Sequence, residues 1–385
     1  MSGDPEQEYF ADGMVEDIIT GLSRSKSLFV IARNSSFTYK GKAVDIKRVG
    51  RELGVRYVLE GSVRKAGNRV RITGQLVNAE TGSHIWADRY DSTLEDIFDL
   101  QDRVTMSAIG AIAPQLERAE IARAQRKPTE SLQAYDYYLR ALASYYRCTR
   151  EANMEALKLT QTANNLDPDF ASPFALGANC FVQRWAFRWS GDGAEDVTNA
   201  RRLARRALEL DKDDPTVLVR AGQALALFVG EMEEGAALLA RAISLDPNLS
   251  IARFGSGWIQ LYLGDGEAAI EQFQIGLRLS PLDPRIFDAQ NGIASAHFFA
   301  GRYEDGSLWA KIAVQQNPDY VGAHRVLMAC HAMAGRVEEA RQAWAVARQL
   351  DPTQRISTFM NERRFRRPKD IQLIAEAFRI AGMPE

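Results

Sequence analysis

The feature that most limits what this chain can fold into is a period of about 34 residues in its second half. Segments end alike at Leu245–Pro247, Leu279–Pro281, Gln316–Pro318 and Leu350–Pro352, and these prolines lie 34, 37 and 34 residues apart. Seventeen residues before each proline stands a glycine: Gly230, Gly264, Gly301 and Gly335. Five residues beyond each glycine comes Gly235, Ala269, Gly306 or Ala340, and seven further on Ala242, Gly276, Ala313 or Ala347. Small side chains at helical spacing let two helices approach closely, a glycine supplies the turn between them, and a proline ends the unit. No single unit of this kind buries its own apolar face, so stacking must supply a continuous core and a concave surface.

An earlier unit ends at Asn165–Pro168, and another near Lys212, with Pro215 just after and an insertion around Trp189–Gly193. These slots match the tetratricopeptide repeat pattern, and residues 131–352 read as about five such repeats. After Pro352 the spacing of Ile371, Leu373, Ile374, Ala377 and Phe378 is helical, so 353–385 reads as a capping helix and tail. Resemblance to the tetratricopeptide family implies that the first helix of each repeat lines a groove that binds a protein or peptide. On that basis Arg220, Phe254, Trp258, Tyr262, Asn291, Phe299 and Arg325 are assigned to the groove. Aromatic and arginine side chains are the usual hot spots of binding surfaces. The alternative is that several of these rings pack between neighbouring repeats. Chaperone-binding members of the family hold a peptide carboxylate with a lysine and asparagine clamp; the matching slots here lack that pattern, so a chaperone tail is not expected.

Residues 1–126 follow a different rhythm. Phe10, Met14, Val15, Ile18 and Leu22 recur at helical spacing and predict a helix over 6–23. The apolar run Leu28–Ala32 is expected as a buried strand. Ile46, Val49 and Leu53 share one face of a short helix that Gly54 stops. Three strands are expected next: Arg56–Val63, the alternation of Val70, Ile72, Gly74 and Leu76 with Arg71, Thr73 and Gln75, and 84–90, with a hairpin turn at Gly67–Asn68. A long helix from Leu94 places Ile97, Leu100, Val104, Ala108 and Ile112 on one face and runs past Pro114 to Gln125. The order α-β-α-β-β-β-α predicts an α+β amino-terminal domain, helices packed on a mostly antiparallel sheet, ahead of an all-α repeat solenoid.

The strings MSGDPEQEYFADGMVEDIITGLSR, VIARNSSFTYKGK, GRELGVRYVLEGSVRKAGNRVRITGQLV, GSHIWADRYD and DIFDLQDRV, in that order, resemble the TolB amino-terminal-like (FlgO-like) domain. That domain commonly precedes tetratricopeptide repeats in bacterial class III adenylate cyclases and in some winged-helix regulators. In the family an apolar strand comes immediately before the Ser-Gly-Asp-Pro-Glu segment, whereas this chain starts on it. The expectation is a sheet short of its first strand, and a chain that is the carboxyl-terminal part of a longer protein. The open sheet edge would favour self-association.

Little else in the sequence speaks for chemistry. Net charge is −2, which fits neither a polyanion binder nor an acidic tail. Cys148, Cys180 and Cys330 are odd in number and widely spaced, which excludes a disulfide framework and a zinc ribbon and fits a reducing compartment. The amino terminus is acidic and polar, and no run approaches a spanning length, so a cytoplasmic chain without a membrane segment is expected. His297 and His331 occupy one slot in successive repeats, and His324 and His331 share a helix face, but nothing completes a metal site. Tyr39–Lys42 lacks phosphate-loop spacing, Asp12, Glu16 and Asp17 suit a helix dipole, and no catalytic signature is present. The arginines 201, 202, 205 and 206, and the basic run from Arg363 to Lys369, read as solvated or dipole-complementing faces rather than a nucleic-acid surface.

The expected function is therefore a non-catalytic interaction and regulatory scaffold for a protein or peptide partner, with no cofactor. Its setting would be a cyclic-nucleotide signalling protein. The alternatives are an adenylate cyclase as the parent protein's activity, or the carboxyl-terminal sensor of a winged-helix transcription regulator.

Overall fold

In a computed structural model of the chain, the alternation at Val70, Ile72 and Leu76 becomes the middle strand of a three-stranded sheet. The structure describes residues 15, 18–23, 30–31, 33–42, 44–66, 69–93, 105, 109–110, 112, 114–122, 133–189, 193–281, 283–360 and 365–385. Two compact units divide the chain, Met1–Arg123 and Ala124–Glu385.

In the first unit, helix α1 (Ile46–Leu53) starts where the Asp45 side chain accepts from the Lys47 N–H at 3.0 Å. It stops at Gly54, whose φ of 67° a side chain would resist. Strands β1 (Tyr57–Ala66), β2 (Arg69–Asn78) and β3 (His84–Thr93) pair antiparallel in that order, with Leu76 opposite both Leu59 and Trp86. Val70, Ile72 and Leu76 face one side and pack on Ile18, Leu22, Ile112 and Leu116, all helical residues, so a helix layer covers this face. The Tyr57 hydroxyl donates to Glu120 Oε1 at 2.7 Å and Arg56 pairs with the same buried carboxylate.

Of the expected strand Leu28–Ala32, only Val30 and Ile31 are among the described residues. Among the described residues Val30 and Ile31 belong to no strand, and a short helix at Arg33–Ser36 and a 3-10 turn at Phe37–Tyr39 follow. Leu28, Phe29 and Ala32 lie outside the described residues, as do the turn at Gly67–Asn68 and most of 6–17 and 94–111.

The second unit is a stack of antiparallel helix hairpins, six among the described residues: α2 (Ala134–Tyr146) with α3 (Arg150–Leu166), α4 (Ala171–Ala186) with α5 (Gly193–Leu210), α6 (Pro215–Gln223) with α7 (Met232–Leu245), α8 (Ser250–Leu263) with α9 (Gly266–Leu279), α10 (Ile286–Phe299) with α11 (Tyr303–Gln316), and α12 (Val321–Met333) with α13 (Val337–Leu350). A short helix α14 (Ile356–Met360) and a final helix α15 (Pro368–Ala381) follow. Six hairpins form where the proline and glycine register counts about five. The turn position with positive φ is glycine in the last four but Cys148 (51°) in the first and Arg188 (59°) in the second, so the glycine signal is silent there.

Four of the six second helices end by one device. Asp167, Asp246, Asn317 and Asp351 take the extended backbone that a following proline demands. Each side chain then accepts from the N–H two residues on, at 3.0 to 3.1 Å. The small residues foreseen at the helix crossings are all buried. A Cβ on Gly276 would stand 2.5 Å from the Phe254 ring, and one on Gly306 2.7 Å from Cys330 Sγ. After α6 the helix widens into a π segment at Ala224–Val229 before Gly230 turns the chain. Helix α15 closes the stack, burying Ala375, Ala377 and Phe378 with Met328 of α12 and Trp344 of α13.

Candidate interaction site on the inner face

First helices of the hairpins line the inner face. On α8, Phe254, Trp258 and Tyr262 recur every four residues and so share one side of the helix. Trp258 stacks on Tyr262 with centroids 5.9 Å apart and meets Phe273 edge-on at 5.6 Å. The indole N–H of Trp258 donates to Asp288 Oδ2 at 3.1 Å, and the Tyr320 hydroxyl donates to Asp288 Oδ1 at 3.0 Å. Arg285, at the start of α10, donates to the same carboxylate at 3.2 Å. Three donors from α8, the start of α10 and the start of α12 thus converge on one largely buried acid, which satisfies a charge that burial would otherwise penalise.

The same guanidinium reaches across the stack. Arg285 Nη1 donates to the Tyr145 hydroxyl at 2.5 Å, which in turn donates to Asn179 Oδ1 at 2.6 Å, and Asn179 donates to Gln223 Oε1 at 3.0 Å. Phe187, at the end of α4, packs its ring 5.0 Å from Tyr320 and 6.2 Å from Phe287. The superhelix therefore curls until its first two hairpins touch its fifth and sixth. Burial pushes the Tyr145 phenol up to about 12. Burial, with Asp288 adding to it, lifts the Tyr320 phenol well above its usual value, so both hydroxyls stay protonated donors. Burial alone would lower the Arg285 pKa, but Tyr145, Asp288, Cys148 and Asp283 outweigh it and raise it.

A cavity of about 140 Å³ remains inside the curl, and Trp258, Tyr262, Asn291, Phe299 and Arg325 all line it. Arg220 and Phe254 line a separate hollow of about 30 Å³ instead. Of the seven residues assigned to the groove, Arg220, Phe254, Tyr262 and Asn291 are buried, and Trp258, Phe299 and Arg325 are half-buried. Arg220 Nη1 donates to the Tyr138 hydroxyl at 2.8 Å, and Phe254 fills the space over Gly276. Asn291 is 3% exposed, and its Oδ1 has no hydrogen-bond partner.

Several lining residues escaped the sequence reading: Arg285, Asp288, Tyr320, Trp185 of α4 and Arg188 of the turn after it. One signal was present. The 37-residue spacing from Pro281 to Pro318 adds residues before α10, in the segment that carries Arg285. Phe359 and Phe365, from beyond the last hairpin, also line the cavity.

Other candidate chemistry settles into structure. His297 and His331 each accept from an arginine five residues on, Arg302 at 2.8 Å and Arg336 at 2.9 Å, and those arginines pair with Glu267 and Glu304 of the preceding hairpin. His324 Nε2 lies 2.8 Å from the Pro318 carbonyl. Among the described residues no three His, Cys, Asp or Glu side chains come together to hold a metal ion. Burial pushes the Cys148 thiol up to about 11 and those of Cys180 and Cys330 up to about 12, which leaves little thiolate. Arg201 and Arg205 pair with Glu231 and Glu234, and Arg206 with Asp169, so three of these four arginines tie helices or turns together. No helix among the described residues is long and apolar enough to cross a membrane.

Among known proteins, the chain is 45% identical over 215 residues to a protein of Rhizobium meliloti (strain 1021) named "Putative adenylate cyclase 3". The match covers 56% of this chain and 37% of that protein, so the chain spans little more than a third of the curated relative it matches. Solved structures similar in shape include the Pseudomonas aeruginosa pilF protein (19% identical, 57% of this chain and 93% of that one, TM-score 0.40) and PilW, described as a type IV pilus biogenesis factor (16%, 57% and 94%, TM-score 0.42). Another is the APC/C hetero-tetramer Cut9-Hcn1 (14%, 73% and 49%, TM-score 0.48). Residues 254–320, from α8 to the threshold of α12, match the family model of the tetratricopeptide repeat.

Proposed function

We propose that this chain is a non-catalytic interaction module that holds a protein or peptide partner on the inner face of its repeats. One observation carries the reading: Trp258, Tyr262, Asn291, Phe299 and Arg325 converge on a single cavity. Aromatic and arginine side chains in a desolvated pocket are what binding hot spots are made of. The matched repeat family supports the reading, because its members typically act by binding other proteins. The repeats would span residues 131–352, with 353–385 as cap and tail. Residues 1–126 would be a TolB amino-terminal-like domain that couples binding to the rest of a longer protein. The three unpaired cysteines favour a reducing compartment such as the cytoplasm.

The relative's name adds a setting. The module would be the regulatory part of a cyclic-nucleotide signalling protein whose catalytic segment lies elsewhere. Translating the DNA upstream of Met1 tests this setting: a cyclase domain in frame supports it, and a winged-helix domain assigns the module to a transcription regulator.

The binding reading is tested by recovering partners from native cells with the intact chain and with Trp258→Ala and Asn291→Ala variants. A protein retained by the intact chain and lost with both variants supports it. Equal recovery by all three contradicts it.

A further inference from the structure

Beyond the last hairpin the chain does not simply cap the stack. After α14 Phe365 lies against α8, two hairpins back, and α15 then packs on α12 and α13. The Phe365 ring stands edge-on to Tyr262 at 4.9 Å and to Phe299 at 5.5 Å. The Arg366 N–H donates to the Tyr262 carbonyl at 2.9 Å. That carbonyl lies in the last turn of α8, where no helical N–H can reach it. The Arg366 guanidinium pairs with Glu233 on α7. An aromatic ring in an aromatic slot, a main-chain bond to an orphan carbonyl and an arginine on an acid are together the contacts of a bound peptide, here supplied by the chain itself.

The fit is incomplete. The cavity of about 140 Å³ persists with Phe359 and Phe365 both in its wall. Asn291 Oδ1 and Arg285 Nε are buried beside it without hydrogen-bond partners, and native structures rarely leave such atoms unsatisfied. The attachment is also light: the Arg366–Glu233 pair is 60% and 72% exposed on its two sides, and exposed pairs contribute little.

We propose that the inner face is a receptor for a peptide presenting an aromatic residue followed by arginine, and that Phe365–Arg366 occupies it as an intramolecular strap until such a peptide displaces it. This rests on the reading that the inner face binds peptides, and it adds the ligand's chemistry and a resident competitor.

The probe is a fluorescein-labelled peptide with the sequence of residues 361–370, and its control carries serine in place of the phenylalanine at unchanged charge. Polarisation is read with the full chain, with Phe365→Ala and with Arg366→Glu, a surface change that leaves the core alone; circular dichroism confirms folding of each. The expected result is affinity at least about tenfold higher for Phe365→Ala than for the unaltered chain, as removal of a competing occupant requires, a smaller rise for Arg366→Glu, and loss of binding with the serine peptide. Equal affinity for all three chains, or equal binding of both peptides, overturns the proposal. If no chain binds the probe while partner recovery still depends on Trp258, the strap fails and the inner-face reading stands; if that dependence is also absent, both fail.

Discussion

The last four hairpins and the first two build the same turn from different residues. In the later ones the left-handed position belongs to Gly230, Gly264, Gly301 and Gly335; in the earlier ones it belongs to Cys148 and Arg188. A side chain in that conformation costs roughly 1–2 kcal/mol, so the early turns carry strain that the later ones avoid. They use it for contacts. Arg188 lies 5.2 Å from the Phe359 ring, and its neighbours Phe187 and Trp189 stack at 4.6 Å and pack with Phe287 and Tyr320. The irregular hairpins supply Tyr145, Phe187 and Trp189, and these meet Arg285, Phe287 and Tyr320 of the regular ones to close the stack.

Removing the hub of that closure should have the largest effect. Asp288→Ala takes the acceptor from Trp258, Arg285 and Tyr320 and leaves the Arg285 guanidinium buried without it. The expected loss is about 3–5 kcal/mol of unfolding free energy, read from urea titration. A loss below about 1 kcal/mol would mean that the hub contributes no more than a surface pair.

Exchanging the turns sharpens the contrast. Gly335→Ala, in the regular half, should destabilise by roughly 1–2 kcal/mol, because nothing crowds the site and only φ opposes the change. Arg188→Gly should relieve strain of that size while loosening the packing around Phe359, so its unfolding midpoint should move less than that of Gly335→Ala. A larger drop for Arg188→Gly would show that the side-chain contact outweighs the strain.

The smallest effect expected is on acid stability. Burial first, and then Arg302 or Arg336, lowers the pKa of His297 and His331 in the regular half. A base that is harder to protonate when folded binds fewer protons in the native state, so stability is full above the unfolded value of about 6.5 and declines as pH falls below it. The melting temperature should therefore drop between neutrality and the folded pKa values. Replacing both histidines with glutamine should flatten that part of the profile; an unchanged slope would assign the acid sensitivity to other groups.

What the sequence made legible follows the same division. Gly276 and Gly306 could be found by counting, because a helix crossing needs a small residue at a fixed place and the period repeats that place. The strand carrying Val70, Ile72 and Leu76 was legible because one face is buried and the alternation records it. Asp288 and Tyr320 were not, since their roles come from curling, the sum of small rotations between hairpins, and no local pattern encodes a sum. Phe365 was visible only as an aromatic within a basic run, and its position against Tyr262 depends on where the chain travels after α14.

The most direct test is whether the ends of the stack meet. A double-mutant cycle of Tyr145→Phe with Arg285→Lys, followed by urea unfolding, measures the coupling across 140 residues of chain. Closure predicts a coupling of about 1.5 kcal/mol or more, as for a hydrogen bond to a charged group. Free energies that simply add, within about 0.3 kcal/mol, would contradict it and leave the repeats as an open arc.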